Sequence, residues 1–335
     1  MKTTKIISAC AVLVALASCS NDREFFQQNA EDTPIRIQAN VGGITTKAGS
    51  GIQGTQFEAG GKIGIFLKEH LASGQEKVAT YTNPIEGTVN STTQTDIDLA
   101  SPQYFPSNRR GVDCLAIYPM KIGETIIDNN TDSFSVQTDQ STAPNYKASD
   151  LMYAYTANTT KGNPIRLTFT HLLSKIIVEV KADDSVNPSV LSDVYVDLLN
   201  TNKTIDITVD NIAQGEASSD KSVTVGSNPS DAETPINLGH PTYTSGKNTE
   251  EVAAIIVPQT ITTANPFIKV RLNNNGGTGD DYATYTYTPD VAQTFDGTKS
   301  YKYTITLKAG AIEVSNVTIT DWVHVGNTNG EANLD

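Results

Sequence analysis

Cysteine, tryptophan and methionine are scarce in this chain of 335 residues, with three Cys, one Trp and three Met. Cys10 and Cys19 both fall in the first nineteen residues, so Cys114 stands alone in the body. A single body cysteine excludes an internal disulfide framework and a Cys-rich metal site there. Histidine is as sparse. His70, His171, His240 and His324 lie far apart, and none has a second His or an acid at metal-ligand spacing on a regular element. No HExxH, no Gly-x-Ser-x-Gly and no Gly-Lys-Ser/Thr occurs, so the zincin, α/β-hydrolase and P-loop chemistries have no anchor. Basic charge is in deficit: 24 Lys and Arg stand against 37 Asp and Glu, a net −13. Non-specific nucleic-acid binding needs a basic face to displace counterions, and this balance argues against it. Beyond the N-terminus no segment is apolar enough to span a membrane. What remains is 38% hydrophobic and only 18% charged, a composition that buries cores rather than staying disordered, at a length that suits about two domains.

The N-terminus reads as an address. Residues 1–19 are MKTTKIISACAVLVALASC, with Lys2 and Lys5 ahead of an apolar run from Ile6 to Ala17. That run is too short to cross ~30 Å of hydrocarbon, which makes residues 1–18 a signal peptide. Its ending, Leu16-Ala17-Ser18-Cys19, resembles the lipobox of bacterial lipoproteins. The resemblance implies cleavage before Cys19 and acylation of its thiol and new amine. Several acyl chains on one residue anchor lastingly where one would not. Residues 19–33 are polar, carry Asp22, Glu24, Glu31 and Asp32, and read as a tether.

From Pro34 onward the chain reads as strands and turns. Ile35, Ile37, Ala39 and Val41 alternate with Arg36, Gln38 and Asn40, the period of a half-buried strand. Further strands are expected at Lys62–Leu67, Val112–Tyr118, Ile165–Phe169, Ile176–Val180, Val194–Leu199, Ile205–Val209, Val252–Val257, Phe267–Leu272, Tyr282–Tyr287, Tyr301–Leu307 and Val314–Val325. Asn273-Asn274-Asn275-Gly276-Gly277 and Asp296-Gly297 supply turn chemistry between them. Helix is confined to a single turn over Ala148–Ala157. Many short strands with turns between them specify an all-β chain of two β-sandwiches. The boundary is placed in the polar stretch Asn158–Asn163, giving an N-terminal domain over 34–160 and a C-terminal one over 161–335. The polar segment Asn211–Asn248 is expected to hold loops and an edge strand.

A series of landmarks follows the lipobox in order. Thr45-Thr46-Lys47-Ala48 comes after the first strand, then GGKIGIF at Gly60–Phe66, Gln103-Tyr104-Phe105-Pro106, and CLAIYP at Cys114–Pro119. Next are Asp150-Leu151-Met152-Tyr153-Ala154, LTFTHLLSKIIVEV at Leu167–Val180, Ile256-Val257-Pro258-Gln259-Thr260, Tyr301–Leu307, and Ile319-Thr320-Asp321-Trp322. The series resembles the fimbrillin-like lipoproteins of Bacteroidetes, which include type V pilus subunits. The resemblance implies two tandem transthyretin-like Greek-key sandwiches, a lipid-anchored precursor at the outer membrane and cell surface, and no enzymatic activity or cofactor. It also implies cleavage after a basic residue near the end of the first strand. That position is Lys47, followed by Ala48, where the family commonly has arginine. The strand carrying Ile35, Ile37, Ala39 and Val41 is then the removable one. A strand from another fimbrial subunit takes its place. Arg109 and Arg110 form a second basic turn that such a protease could meet. The short polar stretch after Val323 fits a tip or accessory subunit supporting adhesion slightly better than a stalk.

Other motifs have plainer readings. Gly49-Ser50-Gly51-Ile52-Gln53-Gly54 matches G-x-G-x-x-G, but no helix follows, so a loop is expected. Asp280 and Asp281 lack EF-hand spacing and are read as hairpin loop, not a Ca²⁺ site. Asp184-Ser185-Val186 resembles an O-glycosylation acceptor. His171 is expected to be structural, beside the surface between the two halves, and Trp322 to be core. Tyr282, Tyr285, Tyr287, Tyr301 and Tyr303 are read as one packed hairpin. If exposed, they would instead support the alternative function, a monomeric surface lipoprotein that binds glycans on an aromatic platform.

Overall fold

The computed structural model describes residues 33–41, 57–72, 75–76, 79–120, 131–209, 223–227, 234–241, 246–273, 282–308 and 311–322. In chain order these hold β1 (Ile37–Val41), β2 (Lys62–Glu69), β3 (Ile85–Val89), β4 (Asp96–Leu99), β5 (Val112–Tyr118), β6 (Thr131–Ser135), helix α1 (Ala143–Ala148), β7 (Met152–Thr159) and β8 (Ile165–His171). Then come β9 (Ser174–Ala182), β10 (Val194–Leu198), β11 (Thr204–Val209), β12 (Val223–Ser227), β13 (Ile236–Gly239) and β14 (Thr249–Ile256). The last elements are β15 (Gln259–Ile261), β16 (Ile268–Asn273), β17 (Tyr282–Tyr287), β18 (Gln293–Phe295), β19 (Lys299–Lys308) and β20 (Ala311–Asp321). The chain is all-β, as its alternating pattern predicts.

Seven strands close into a barrel in the order β1-β4-β3-β2-β5-β7-β8. Each neighbouring pair within the run from β1 to β8 is antiparallel, and the closure of β8 onto β1 is parallel. The remaining strands form a sheet β13-β10-β16-β17, a sheet β14-β9-β19-β20, a three-stranded sheet β12-β11-β6 and the ribbon β15-β18.

Two cores result, and β2 and β5 feed both. Successive side chains of a strand point to opposite faces. Ile63, Ile65 and Leu67 of β2 and Cys114 and Ala116 of β5 fill the barrel. Phe66, Leu115 and Ile117 point the other way, into the core of the second half. This double burial explains why both strands read as continuous apolar runs rather than as clean alternation. Burial, helped by the Asp113 charge, pushes the Cys114 thiol far above the ordinary thiol range, so it behaves as a small apolar group.

Strand pairing crosses the boundary expected at residue 160 in both directions. β7 and β8, on either side of it, pair within the barrel at Met152↔His171 and Tyr153↔Thr170. The polar stretch between them turns tightly at Gly162, whose φ of +92° suits glycine. Conversely β6, which follows barrel strand β5, pairs with β11 over five positions. The chain therefore leaves the barrel, contributes to the second half, and returns. Helix also sits earlier than expected. It covers Ala143–Ala148, opened by Pro144 near its start, while residues 152–159 extend as β7. There Met152 and Ala154 are buried and Tyr153 and Tyr155 half-buried, a period of two.

The returning segment also seals an edge. Asn237 N–H donates to Thr138 O at 2.7 Å, and Gln140 N–H to Asn237 O at 2.8 Å, so residues 138–140 run beside β13. The Gln140 side chain then reaches the outer edge of β14. Its Nε2 donates to Ile255 O at 2.8 Å, and its Oε1 accepts from Ile255 N–H at 2.8 Å. One buried amide thus does the work of a strand. Gln140→Leu would orphan two buried backbone groups, each costing about 1–3 kcal/mol. Thermal or urea unfolding should show a loss of about 2–4 kcal/mol.

Candidate assembly site at the closing strand

The strand that closes the barrel has two unlike faces. Ile35, just ahead of β1, and Ile37, Ala39 and Val41 within it are buried among Ile97, Ile165, Leu167 and Phe169. Arg36, Gln38 and Asn40 alternate with them on the outside. Burial of Ile35, Ile37 and Val41 is worth roughly 1.5–3 kcal/mol each. Ala39 has no exposed surface at all. In a close-packed interior a larger group there must displace its neighbours.

The two edges of β1 are held unequally. It lies parallel to β8 over five positions, from Ile37↔Ile165 to Val41↔Phe169. Against β4 it registers at only two, Ile37↔Ile97 and Gln38↔Asp96. Single bonds extend that weaker side. Ala39 N–H donates to Thr95 O at 2.7 Å, Ile35 N–H to Gln103 O at 2.7 Å, and Phe105 N–H to Thr33 O at 3.2 Å. A cleft of about 470 Å³ runs beside it, lined by Ile35, Ile37, Ile97, Leu99 and Pro102 among others. Across the outer face lies a polar bar. Arg166 Nη1 donates to Gln38 Oε1 at 2.9 Å, and Gln38 Nε2 donates to Asp96 Oδ1 at 3.0 Å. These three residues come from β8, β1 and β4, and no local sequence signal joins them.

The predicted site residues are thus partly assembled. Ile35, Ile37, Ala39 and Val41 share one buried face, as their spacing predicts. Cys19, Lys47 and Ala48 lie outside the described residues, as do the Gly49–Gly54 motif, Asp280, Asp281 and His324. Arg109 adopts a positive φ of 64° in its turn. Arg110 is tied down: its Nη1 donates to Glu69 Oε1 at 2.9 Å and to Glu76 O at 2.7 Å. Glu69 is fully buried and also accepts from Asn108 Nδ2 at 2.7 Å and Ala79 N–H at 2.9 Å.

A second constellation sits at the far end of β8, between the two halves. His171 Nδ1 lies 2.7 Å from Asp150 Oδ1, both buried. The imidazole stacks on Trp322 at 4.0 Å between centroids and an interplanar angle of 6°. Lys175 Nζ lies 5.8 Å from the same indole. Burial pushes the Lys175 ammonium down to about 8, against the upward pull of Asp150 and Glu251. These contacts are structural. His70 is likewise engaged, its Nδ1 2.8 Å from Asp113 Oδ1, and His240 packs edge-on against Tyr195. Among the described residues no three His, Cys, Asp or Glu side chains converge as a metal site would require.

The tyrosines do not form one hairpin. β17, with Tyr285 and Tyr287, pairs with β16, whereas β19 pairs with β9 and β20. Tyr301 and Tyr303 are core residues, and Tyr287 leans on Tyr303 at 6.0 Å. Equal spacing along two strands could not reveal that the strands belong to different sheets. Among the described residues the large exposed apolar side chains are Tyr104, Val291 and Ile319, which come from separate elements and make no aromatic platform.

Comparison with known proteins bears on this arrangement. The fimbrillin-like family model matches residues 46–322. A candidate cell adhesion protein from Bacteroides uniformis superposes with a TM-score of 0.58 at 23% identity, covering 87% of this chain and 99% of that one. Another from Bacteroides ovatus gives 0.59 at 20% identity, covering 87% and 98%. Both likenesses concern the fold. No curated protein matches the chain.

The buried lysine yields a pH prediction. Its proton is lost near pH 8 when folded and near 10.5 when unfolded, so between these values the unfolded chain binds more protons and stability rises with pH. Burial raises Tyr81, Tyr146 and Tyr303, which reverses the trend above about pH 10. Urea titrations from pH 7 to 10 should show wild-type stability rising relative to Lys175→Met. An unchanged difference between the two would overturn this.

Proposed function

The chain belongs to the fimbrillin-like family, and from that premise we propose that it is a fimbrial subunit at the cell surface whose β1 is a removable strand, replaced on assembly by a strand from another subunit. One observation carries the reading. A single parallel pairing closes the barrel, and the closing strand holds one neighbour over five positions and the other over two. Without β1 the sheet becomes an open run of six strands with β4 and β8 as edges. Unpaired N–H and C=O groups would line both edges, and the apolar side chains facing Ile37 and Val41 would meet water. An added strand restores both terms, which is strand addition used for assembly. Such a contact is head-to-tail and extends rather than closes.

In this reading the precursor reaches the outer membrane as a lipoprotein acylated at Cys19. Cleavage after Lys47 releases the lipid and the first strand together and leaves Ala48 at the new terminus. The role is that of a tip or accessory subunit supporting adhesion, without catalysis. Among the described residues Tyr104 is the one exposed aromatic side chain, which favours this over glycan capture on a tyrosine platform.

Mass spectrometry of the protein sheared from intact cells tests the proposal. Assembled material should begin at Ala48 and run as SDS-resistant higher species, and Lys47→Ala should abolish both. Assembled species that still begin at acylated Cys19 would overturn it and point to a membrane anchor.

A further inference from the structure

The seat of β1 has chemistry as well as shape. Strands lie about 4.8 Å apart, so Arg166 on β8 and Asp96 on β4 face each other across roughly 10 Å with β1 between them. At that level the seat offers a cationic donor on one side and an anionic acceptor on the other. Gln38 meets both, accepting from Arg166 Nη1 at 2.9 Å and donating to Asp96 Oδ1 at 3.0 Å. A carboxylate there would suit Arg166 but face Asp96. An ammonium would suit Asp96 but face Arg166. An aliphatic group would satisfy neither. A side-chain amide accepts at its oxygen and donates at its nitrogen, two atoms that face the two sides at once, whereas a hydroxyl has one oxygen for both tasks. The next residue inward is Ala39, with no exposed surface, flanked by the larger inward residues Ile35, Ile37 and Val41.

We infer that this seat selects its strand by an amide at the Gln38 level followed by a small inward residue, within alternating aliphatic side chains, and that the strand comes from a different polypeptide rather than from another trimmed copy of this chain. The inference rests on the strand-replacement reading. The required pattern is aliphatic-x-aliphatic-amide-small-x-aliphatic, with Ala, Gly or Ser as the small residue. Across the 335 residues only Ile35–Val41 satisfies it. Val89-Asn90-Ser91 has Gly87 and Thr93 where the flanking aliphatics should be, and Ile52-Gln53-Gly54 has Ser50 and Gln56. Residues 311–335 contain no amide preceded by an aliphatic residue and followed by a small one. Residues 48–335 therefore carry no copy of the pattern that the seat reads. Polymerisation by self-donation would place mismatched residues at the Gln38 and Ala39 levels. A foreign strand with the matching amide and small residue would be discriminated against the rest by hydrogen-bond complementarity, the device that rejects partners leaving polar groups unpaired.

The test uses the full chain with a unique protease site placed between Val41 and Phe57, cut after folding. Labelled synthetic peptides are then offered in excess and their entry followed by fluorescence anisotropy. Peptide 33–45 should enter. Its Gln38→Leu and Gln38→Glu forms should bind about tenfold more weakly, Ala39→Leu more weakly still, and peptide 311–335 should not enter. Gln38→Glu should recover, and the native peptide should not gain, when the cut protein carries Asp96→Lys. The same ranking should appear without cutting, as thermal melting of the intact chain carrying Gln38→Glu alone and with Asp96→Lys. Equal entry of the native, Gln38→Leu and Gln38→Glu peptides would overturn the amide selection while leaving strand replacement standing. Entry of peptide 311–335 as readily as 33–45 would overturn the foreign-strand conclusion. Failure of peptide 33–45 itself to enter would overturn strand replacement and the inference with it.

Discussion

One parallel pairing, β1 along β8, turns a seven-stranded antiparallel run into a closed barrel. A closed sheet has no edges to protect. Everything inside the barrel depends on that closure, because Ile37, Ala39 and Val41 form part of its wall and its core at once. The burial of Ile35, Ile37 and Val41 sums to about 5–9 kcal/mol by area. Domains are typically stable by about 5–15 kcal/mol. The strand thus contributes on the scale of the whole margin, and its loss has to be matched by an equivalent strand rather than absorbed by relaxation.

The barrel is bound to the rest of the chain by sharing side chains rather than by a linker. β2 and β5 present alternate residues to two cores, and β6 is lent to the second half before the chain returns as β7. At the end of β8 the stacked pair His171 and Trp322, backed by Asp150, joins the barrel to the end of β20. Gln140 closes the edge of β14 from the same connecting segment. Few of these contacts are local in sequence, and together they fix the orientation of one half on the other.

The sequence makes the β character and the first strand legible because period-two alternation reports burial directly. Ile35, Ile37, Ala39 and Val41 are where that pattern places them. The strands Val112–Tyr118 and Tyr282–Tyr287 have the predicted bounds. Short elements with one or two buried residues, such as β4 and β6, carry too little pattern to be seen. The position of the boundary was hidden for a related reason. A polar tetrad such as Thr160–Asn163 looks the same in a hairpin as in a linker, and only the pairing of β7 with β8 separates the two. The polar bar over β1 was invisible because its members lie 58 and 128 residues from Gln38.

The joint between β8 and β9 has a mechanical meaning. His171 ends one strand and Ser174 begins the next, with only Leu172 and Leu173 between them. Gly297 crosses so close to Leu172 that an added Cβ would lie 2.5 Å from its carbonyl oxygen. β1 runs parallel to β8, and β19 runs parallel to β9 over eight positions. Tension applied along a strand seated on β8 therefore passes down a short covalent path into β9, which is paired over eight positions on each side. Pulled lengthwise, such a strand loads its five register pairs together, as a lap joint does in shear, instead of peeling them one by one. Load along the β1–β8 line is thus carried on the same line that the proposed strand replacement uses.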